Sequence, residues 1–358
     1  MDIDSNIKKL FINGTISLKE AMKKISKEGQ GVLIVVDGQS MLMGMLTDGD
    51  IRRAILSGHP YSDAIDGIYN DHPHFVSEPT SHEQIRNIML QDRIEAVPVV
   101  DDNKRIIDVV FWDDIISETV QRPKRKLNVP VVIMAGGKGT RLDPFTRILP
   151  KLLIPIGEKA IIDIIIDKFA FYGITQFYIS INNKAKIVKA YFEERYSDYH
   201  LHYLEETRPL GTAGSLKALP RKFKGSFFVS NCDIIVDCDY SDIYGFHCEK
   251  NNDITIVGSH RHFVIPYGVC EIKNGGTLKS INEKPEYDFL VNTGMVVLKR
   301  SVLKYIPRNK EFHMTDLISS VQQKGGKVGV YPIDEKSWID VGQWDEYKKV
   351  MENFEKKL

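Results

Sequence analysis

A glycine-rich turn behind a short apolar run constrains this chain more than any other feature. Four β-forming residues, 131–134, lead into Ala-Gly-Gly-Lys-Gly-Thr-Arg-Leu at 135–142, and a second lysine follows at Lys151. Glycines let bare backbone N–H groups approach phosphate oxygens, and fixed cations meet the negative charge. The pattern therefore predicts a phosphate-binding loop at the end of a strand.

Two familiar glycine loops do not fit this spacing. A P-loop requires a Gly-Lys-Ser or Gly-Lys-Thr sequence, which the chain does not contain. A dinucleotide-binding fingerprint that starts at Gly137 and Gly139 would need a third glycine where the chain has Leu142. Both classes are excluded.

The segment resembles the signature of nucleotide-sugar pyrophosphorylases, G-G-x-G-T-R-L-x-P-x-T followed by a P-K motif. Here the signature occupies 136–146, and Pro150-Lys151 follows. The resemblance implies that a sugar 1-phosphate is joined to a nucleoside triphosphate and that Arg141 neutralises the departing pyrophosphate. It also implies that the nucleotide phosphates contact the loop residues Ala135, Gly136, Gly137, Lys138, Gly139 and Thr140.

Length and composition limit the other classes. At 358 residues the chain is expected to form two domains, and its 48 basic residues balance its 48 acidic ones, so no net field attracts nucleic acid. It shows no leader segment and no apolar run near the roughly 18 residues of a membrane span. Four cysteines without C-x-x-C spacing indicate neither a zinc site nor a disulfide framework. We expect a cytoplasmic protein without nucleic-acid or membrane partners.

Histidines in His-x-His pairs are the remaining metal candidates. On a strand, both rings of a pair would share a face and could chelate a metal. No acidic or cysteine partner stands at a suggestive offset, so surface or loop histidines are the favoured interpretation. The pairs are His72 and His74, His200 and His202, and His260 and His262.

The first third of the chain repeats itself with a period of 64 residues. The apolar run 33–37 falls on 97–101, and Asp50 falls on Asp114, without a gap. Each copy predicts a helix, an apolar strand, a turn, a second strand and a second helix. Two copies are too few for a solenoid and indicate a pseudo-symmetric pair packed face to face.

This repeat resembles a tandem pair of CBS domains. The resemblance places them at about 6–62 and 70–120, within residues 1–120. Residues 121–128 are basic, contain a proline and lack periodicity, which predicts a solvated linker. The second domain is then 129–358.

The CBS resemblance also implies a ligand site. The first copy keeps the family's Gly-x-x-Thr-x-x-Asp pattern, in which Thr47 takes the phosphate and Asp50 the ribose of an adenine nucleotide. In the second copy Phe111 replaces the threonine and only Asp114 is kept. Two roles stay open: regulation by an adenine nucleotide, or a ligand-free module that makes the chain a homo-oligomer.

Strand-forming runs alternate with helical patterns in the second domain. The runs 131–134, 177–181 and 226–229 predict strands, and 161–172 and 185–195 predict helices. Such alternation indicates an α/β fold with a doubly wound, mainly parallel, Rossmann-like sheet, whose ligands bind beyond the carboxyl ends of the strands. By the family resemblance this is a GT-A-like nucleotidyltransferase domain preceded by the CBS pair.

Further motifs of the pyrophosphorylase family follow along the second domain. The segment 209–214 resembles the turn that reads the nucleotide base, and Glu205-Glu206 ahead of it is closest to the guanylyltransferase branch. The resemblance implies that the rest of the nucleotide is held by Leu210, Gly211, Thr212 and Asn231.

Metal and sugar motifs complete the set. By resemblance, Asp233 and Asp340 hold the metal and Lys284 holds the sugar phosphate. The sugar itself contacts Gly268, Glu283, Asn292 and Thr293. Taken singly, the aspartates could cap turns and Glu283-Lys284 could be a solvated ion pair; the order and spacing of the whole set favour the functional interpretation.

These residue types suit the joining of two polyanions. A phosphate monoester is mostly dianionic near pH 7, because its second pKa is about 6, so no general base is needed. Lys151 and Lys284 would screen the attacking phosphate and the α-phosphoryl oxygens, and two aspartates suit Mg²⁺ as cofactor. We expect in-line attack of a sugar 1-phosphate on the α-phosphorus of GTP, with release of pyrophosphate.

The arrangement of the two domains indicates which sugar 1-phosphate is the substrate. A CBS pair ahead of a short pyrophosphorylase domain resembles the glucosamine-1-phosphate guanylyltransferases that supply GDP-glucosamine to legionaminic acid biosynthesis. Mannose 1-phosphate, heptose 1-phosphate, and uridylyl or thymidylyl transfer stay open. The non-enzyme alternative is a CBS-regulated nucleotide-sensing subunit, which would typically lack the loop arginine or the metal aspartates.

Overall fold

The computed structural model describes residues 3–92, 94–115, 126–137, 139–182, 184–193, 198–220 and 223–355, without the side chains of 90, 113, 115 and 353–355. The chain divides into two compact units, Met1–Pro123 and Lys124–Leu358. None of the described helices combines the length and the apolar character needed to cross a membrane.

The first unit contains two copies of one pattern of strands and helices. The first copy consists of α1 (Ser5–Lys8), β1 (Phe11–Ile12), α2 (Leu18–Glu28), β2 (Val32–Val36), β3 (Leu42–Thr47) and α3 (Asp48–Leu56). The second copy consists of β4 (Val76–Ser77), α4 (His82–Asp92), β5 (Ala96–Val100), β6 (Ile106–Phe111) and α5 (Trp112–Ile115).

The predicted 64-residue repeat is confirmed. The elements α2, β2 and β3 each begin 64 residues before α4, β5 and β6. Each copy has a three-stranded sheet whose first pair is parallel and whose second pair is antiparallel. The equivalent residues Leu33 and Val97 are fully buried, since each copy needs a filled core of its own.

The second unit alternates strands with helices through its first half. Its elements are β7 (Val131–Met134), a 3₁₀ turn (Thr140–Leu142), α6 (Phe145–Ile148), a 3₁₀ turn (Lys151–Leu153), β8 (Pro155–Ile156), β9 (Lys159–Ala160), α7 (Ile161–Ala170), β10 (Gln176–Ile181), α8 (Ala185–Glu193), β11 (His200–Glu205), a 3₁₀ turn (Gly214–Ala218), β12 (Ser226–Asn231), β13 (Ile234–Val236), α9 (Tyr240–Glu249), β14 (Ile254–Val264), β15 (Val269–Ile272), β16 (Leu278–Asn282), β17 (Glu286–Lys299), a 3₁₀ turn (Arg300–Tyr305), α10 (Met314–Gln323), β18 (Val328–Ile333), β19 (Trp338–Asp340) and α11 (Trp344–Glu355).

The central sheet of the second unit has the strand order β11-β10-β7-β12-β17-β14-β18. Alternate residues of β7 enter different cores: Val131 and Ile133 pack in one, and Val132 and Met134 in the other. Helices therefore cover both faces, and the predicted α/β, doubly wound, mainly parallel fold is confirmed. The sequence pattern did not predict that β17 enters antiparallel to both β12 and β14.

The carboxyl ends of β7 and β12 meet at one edge of this sheet. The two strands are parallel neighbours, and Met134 pairs in register with Asn231. The glycine-rich loop and Asp233 consequently leave the sheet side by side. At the other end of β7, residues 126–128 of the predicted linker belong to the second unit, where Leu127 is 5% exposed.

Candidate functional site

The glycine-rich loop approaches other groups too closely for side chains at two of its glycines. A Cβ on Gly136 would lie 2.7 Å from Glu206 Oε1, and a Cβ on Gly139 would lie 2.9 Å from Thr146 Cγ2. Gly139 also has a φ of 69°, which favours glycine. Lys138, a predicted phosphate contact, lies outside the described residues.

The two ends of the loop are anchored while its middle is open to solvent. Ala135 is buried, and its N–H donates to Ser180 Oγ at 3.0 Å. Gly137, Thr140 and Arg141 are exposed. Backbone donors and the Arg141 guanidinium therefore face solvent, where a polyanion can reach them.

The two predicted metal ligands meet because β13 and β19 pair. Ile234 stands opposite Asp340 in this antiparallel pair, and Val341 N–H donates to Asp233 O at 2.9 Å. Both carboxylates converge on Gly342. A Cβ there would overlap Asp233 Oδ2 and would lie 2.8 Å from Asp340 Oδ1.

Lys151 lies in the same place. Its ammonium group forms an ion pair with Asp233 Oδ2, and it would lie 2.7 Å from a Cβ on Gly342. The side chains of Lys151 and Asp233 are 14% and 16% exposed. The lysine thus partly neutralises the two carboxylates, which stand together at the sheet edge.

This donor set fits Mg²⁺ bound together with a substrate. In the described parts of the chain, no three histidine, cysteine or acidic side chains converge as metal ligands. Mg²⁺ commonly takes only one or two carboxylates and completes its shell with water and substrate phosphates. The space that Gly342 leaves open between Asp233 and Asp340 matches that requirement.

The predicted base-reading turn is fixed against the segment before α10. The N–H groups of its last two residues, Ala213 and Gly214, donate to Phe312 O at 3.0 and 3.1 Å. Phe312 N–H in turn donates to Leu210 O at 2.9 Å. The Thr212 hydroxyl accepts a hydrogen bond from the first N–H of α10 at 2.8 Å.

Close packing continues at Gly211. A Cβ on Gly211 would lie 2.7 Å from Phe312 O. The turn therefore has a fixed backbone that can serve as a template for a flat base.

Glu206 is a site residue that sequence reasoning noticed but did not assign. Its side chain is buried, its Oε2 accepts the N–H of Leu210 at 3.1 Å, and its Oε1 has no hydrogen-bond partner among the residues that the structure describes. Burial raises the pKa of this carboxyl, and the Leu210 N–H and the nearby Ser215 and Ser180 hydroxyls act in the opposite direction. The group lies between Gly136 and the base-reading turn, so it is a buried acceptor aimed at the predicted nucleotide site.

The predicted sugar contacts lie around the β15–β16 hairpin and on β17. A Cβ on Gly268 would lie 2.8 Å from Glu283 Oε2, so these two residues are adjacent. Glu283 and Lys284 are exposed, and Lys284 has a φ of 46°.

Asn292 and Thr293 differ in what they offer a ligand. Asn292 is exposed, and its Oδ1 accepts the N–H of Gly294 at 3.0 Å. Thr293 is 2% exposed; its hydroxyl donates to Val257 O at 2.9 Å and accepts from the N–H of Met295. The Thr293 side chain is thus occupied within the sheet.

Asn231, at the end of β12, lies next to Gly294 of β17. Its Nδ2 is 2.5 Å from where a Cβ on Gly294 would stand. The end of β12 and this part of β17 are therefore adjacent, which places Asn231 beside the predicted sugar contacts on β17.

The CBS residues predicted to bind a nucleotide are engaged in helix capping. Thr47 Oγ1 donates to Asp50 Oδ2 at 2.7 Å and accepts from Asp50 N–H at 3.3 Å, and Arg53 forms an ion pair with Asp50. In the second copy, Asp114 accepts the N–H of Phe111 at 3.0 Å. A nucleotide would have to compete with these bonds, and ligand binding here stays a prediction.

The histidine pairs bind neighbouring side chains. His262 Nδ1 lies 2.8 Å from Asp288 Oδ1, and His202 Nε2 lies 3.2 Å from Gln176 Oε1. His72 Nδ1 lies 2.7 Å from Asp71 Oδ1. None of these pairs is part of a group of three potential metal ligands among the described residues.

Comparison with known proteins gives the following matches. The nucleotidyl transferase family model matches residues 130–357, and the CBS domain model matches 3–57 and 65–120. The chain is 32% identical over 225 residues to a mannose-1-phosphate guanyltransferase of Yarrowia lipolytica, covering 59% of this chain and 60% of the relative. It is 27% identical over 237 residues to a UTP–glucose-1-phosphate uridylyltransferase of a Synechocystis species, covering 60% of this chain and 61% of the relative.

The chain thus spans about 60% of the length of these curated relatives. Among solved structures, HddC from Yersinia pseudotuberculosis complexed with GMP-PN is 24% identical, with a TM-score of 0.48, over 63% of this chain and 99% of that chain.

Proposed function

This chain belongs to the nucleotidyl transferase family and carries a CBS pair, and on that premise we propose that it is a sugar-1-phosphate guanylyltransferase. The reaction joins GTP and a sugar 1-phosphate into a GDP-sugar and releases pyrophosphate. The single observation that carries the choice of guanine is the buried Glu206 carboxylate, whose Oε1 lies beside the glycine loop and has no hydrogen-bond partner in the described part of the chain.

A carboxylate is selective among base edges. Guanine presents two adjacent donors, N1–H and the N2 amino group, and an ionised carboxylate only accepts. Uracil and thymine place carbonyl oxygens on both sides of their single N–H, so a buried carboxylate would repel them. Adenine and cytosine offer an amino group next to an acceptor nitrogen, which leaves half of the carboxylate unmatched. Burial of a carboxylate that is incompletely hydrogen-bonded costs free energy, and donors on guanine would recover part of it.

The remaining residues position the two substrates and neutralise the charge of their phosphates. The loop N–H groups and Arg141 hold the β- and γ-phosphates, which become the leaving pyrophosphate. Lys151 and Lys284 screen the incoming sugar phosphate. Its oxygen attacks the α-phosphorus, the new P–O bond forms, and the bond to the β-phosphate bridging oxygen breaks.

Asp233 and Asp340 are the residues that would hold Mg²⁺. Bound there, the ion supplies neutralisation of phosphate charge. The sugar phosphate already carries its charge near neutral pH, so the chain needs no side chain to remove a proton.

We take glucosamine 1-phosphate as the sugar substrate and the supply of GDP-glucosamine as the role. This choice is supported by the resemblance of the CBS-plus-transferase arrangement to enzymes of legionaminic acid biosynthesis. Mannose 1-phosphate and heptose 1-phosphate are the competing substrates. The curated relatives named above act on mannose 1-phosphate or glucose 1-phosphate, according to their names.

The test is pyrophosphate release from GTP, UTP, dTTP, CTP and ATP, each with glucosamine, mannose and heptose 1-phosphates. GTP with glucosamine 1-phosphate should give the highest kcat/KM. Glu206→Gln should lower kcat/KM for GTP by about 100-fold and raise the relative use of UTP, because an amide offers one donor and one acceptor.

Glu205→Gln is the matched control. Glu205 is exposed and pairs with Lys189 at 2.6 Å, outside the site. It should leave the base preference unchanged. A wild-type preference for UTP, or no effect of Glu206→Gln on base preference, would contradict the assignment.

A further inference from the structure

Trp344 connects the metal-binding segment to the chain that follows the glycine loop. Its indole N–H donates to Asp143 O at 3.0 Å, and its ring centroid lies 5.4 Å from that of Phe145. Tyr347, three residues along α11, lies 5.7 Å from Trp344 and 6.1 Å from Phe145. The start of α11 therefore holds the segment directly behind Arg141.

The residues directly before α11 also hold the Asp340 carboxylate. Gly342 N–H donates to Asp340 Oδ1 and the Gln343 side-chain amide donates to Asp340 Oδ2, both at 2.9 Å. Both oxygens of the carboxylate are therefore oriented by the two residues immediately before Trp344.

Lys151 connects the glycine-rich loop to the other carboxylate, that of Asp233. A Cβ on Gly139 would lie 3.1 Å from Lys151 Cβ, and Lys151 forms the ion pair with Asp233. The glycine-rich loop, the start of α11 at Trp344 and the two carboxylates are thus linked in one closed series of contacts.

We propose that Trp344 is a positioning residue for GTP, which sets the loop that carries Arg141 relative to Asp233 and Asp340. The proposal rests on the proposed nucleotidyl transfer. Apart from Lys151, the predicted contacts to the sugar 1-phosphate lie on other elements, at 268–293, so a substitution at Trp344 should change the KM for GTP more than the KM for the sugar 1-phosphate. Hydrogen bonds and ring packing of this kind fix relative geometry, on which in-line transfer depends.

Two tryptophan-to-phenylalanine variants of the full chain form a matched pair. Trp344→Phe keeps a ring and removes a hydrogen bond that is in use. Trp338→Phe changes the residue two before Asp340. The Trp338 ring lies 4.9 Å from the Arg261 guanidinium, and its Nε1 has no hydrogen-bond partner within the described residues.

We expect Trp344→Phe to raise KM for GTP by about five- to tenfold and KM for glucosamine 1-phosphate by no more than about twofold, and Trp338→Phe to alter neither by more than about twofold. A GTP KM for Trp344→Phe within twofold of that for Trp338→Phe would overturn the proposal.

Hydrogen exchange of the ligand-free protein gives a readout without turnover. Backbone amides of 139–149 should exchange at least about tenfold faster in Trp344→Ala than in wild type, and at the wild-type rate in Trp338→Phe. Unchanged exchange in Trp344→Ala would overturn the proposal. If wild type releases no pyrophosphate, the proposed function fails, and the exchange comparison still decides the role of Trp344.

Discussion

Lys151 forms an ion pair with Asp233 through the carboxylate oxygen that faces Asp340, and both partners are mostly buried. Under the proposed function, a metal bound through this same oxygen would displace the Lys151 ammonium group, which could then meet substrate phosphate.

Lys151→Gln should separate these two roles. Without the ammonium group the carboxylates attract a cation more strongly, so Mn²⁺ should bind the ligand-free protein roughly tenfold more tightly by calorimetry. Turnover should nevertheless fall on the order of 10²–10³-fold, because the phosphates lose a cation. Lys159→Gln, at an exposed lysine paired with Asp167, is the control. Weaker Mn²⁺ binding in Lys151→Gln would refute the competition.

Gly342→Ala tests the space between the carboxylates. The added methyl would occupy the position where Asp233, Asp340 and Lys151 converge. We expect a loss of kcat/KM on the order of 10²-fold or more, together with loss of Mn²⁺ binding. In Gly245→Ala, where a Cβ meets no described atom within 4 Å, activity should be kept. Turnover within threefold of wild type in Gly342→Ala would show that this space is not used.

Arg141→Ala should remove the cation that we propose neutralises the leaving pyrophosphate. The expected loss in kcat is on the order of 10²–10³-fold, with little change in stability because the side chain is exposed. Arg147→Ala provides a control six residues away, since Arg147 is exposed and pairs with Asp143 at 3.2 Å. Equal activities of the two variants would speak against a role for Arg141.

Local spacing in the sequence predicted the parts of the candidate site that carry motifs. The glycine loop and the segments around Asp233 and Asp340 carry motifs, and strand–helix alternation predicted the parallel half of the sheet. The period of an apolar strand does not encode the direction of its partner, so the antiparallel entry of β17 was not predicted.

Residues whose roles depend on distant packing were harder to find. Glu205 and Glu206 are adjacent in sequence, but only Glu206 turns into the protein at the end of β11, where alternate side chains face opposite sides. Trp344 and Asp143 are 201 residues apart, and no local signal links them. Thr293 fits the motif for a sugar contact, yet its hydroxyl is hydrogen-bonded to backbone groups of the sheet.

His247 should make stability depend on pH. The imidazole lies between Thr255 and Ser226, and burial lowers its pKa from 6.5 to about 4. Between these values the unfolded chain takes up a proton and the folded chain does not, so the free energy of unfolding falls as pH drops below about 6.5 and is fully recovered above it.

The expected loss attributable to His247 is about 2 kcal/mol between pH 6.5 and pH 5. Urea denaturation followed by tryptophan fluorescence measures it. In His247→Gln this part of the pH dependence should disappear, whatever the variant's stability at pH 7. Parallel pH profiles for wild type and His247→Gln would contradict the assignment.

The most direct test of nucleotidyl transfer is the fate of labelled phosphorus. The wild-type chain is incubated with glucosamine 1-phosphate, Mg²⁺ and GTP that carries the label at either the α or the γ position. Attack on the α-phosphorus predicts that the α label enters the sugar nucleotide and that the γ label leaves as pyrophosphate. A γ label found on the sugar or in orthophosphate, or an α label that never reaches the sugar, would contradict the account.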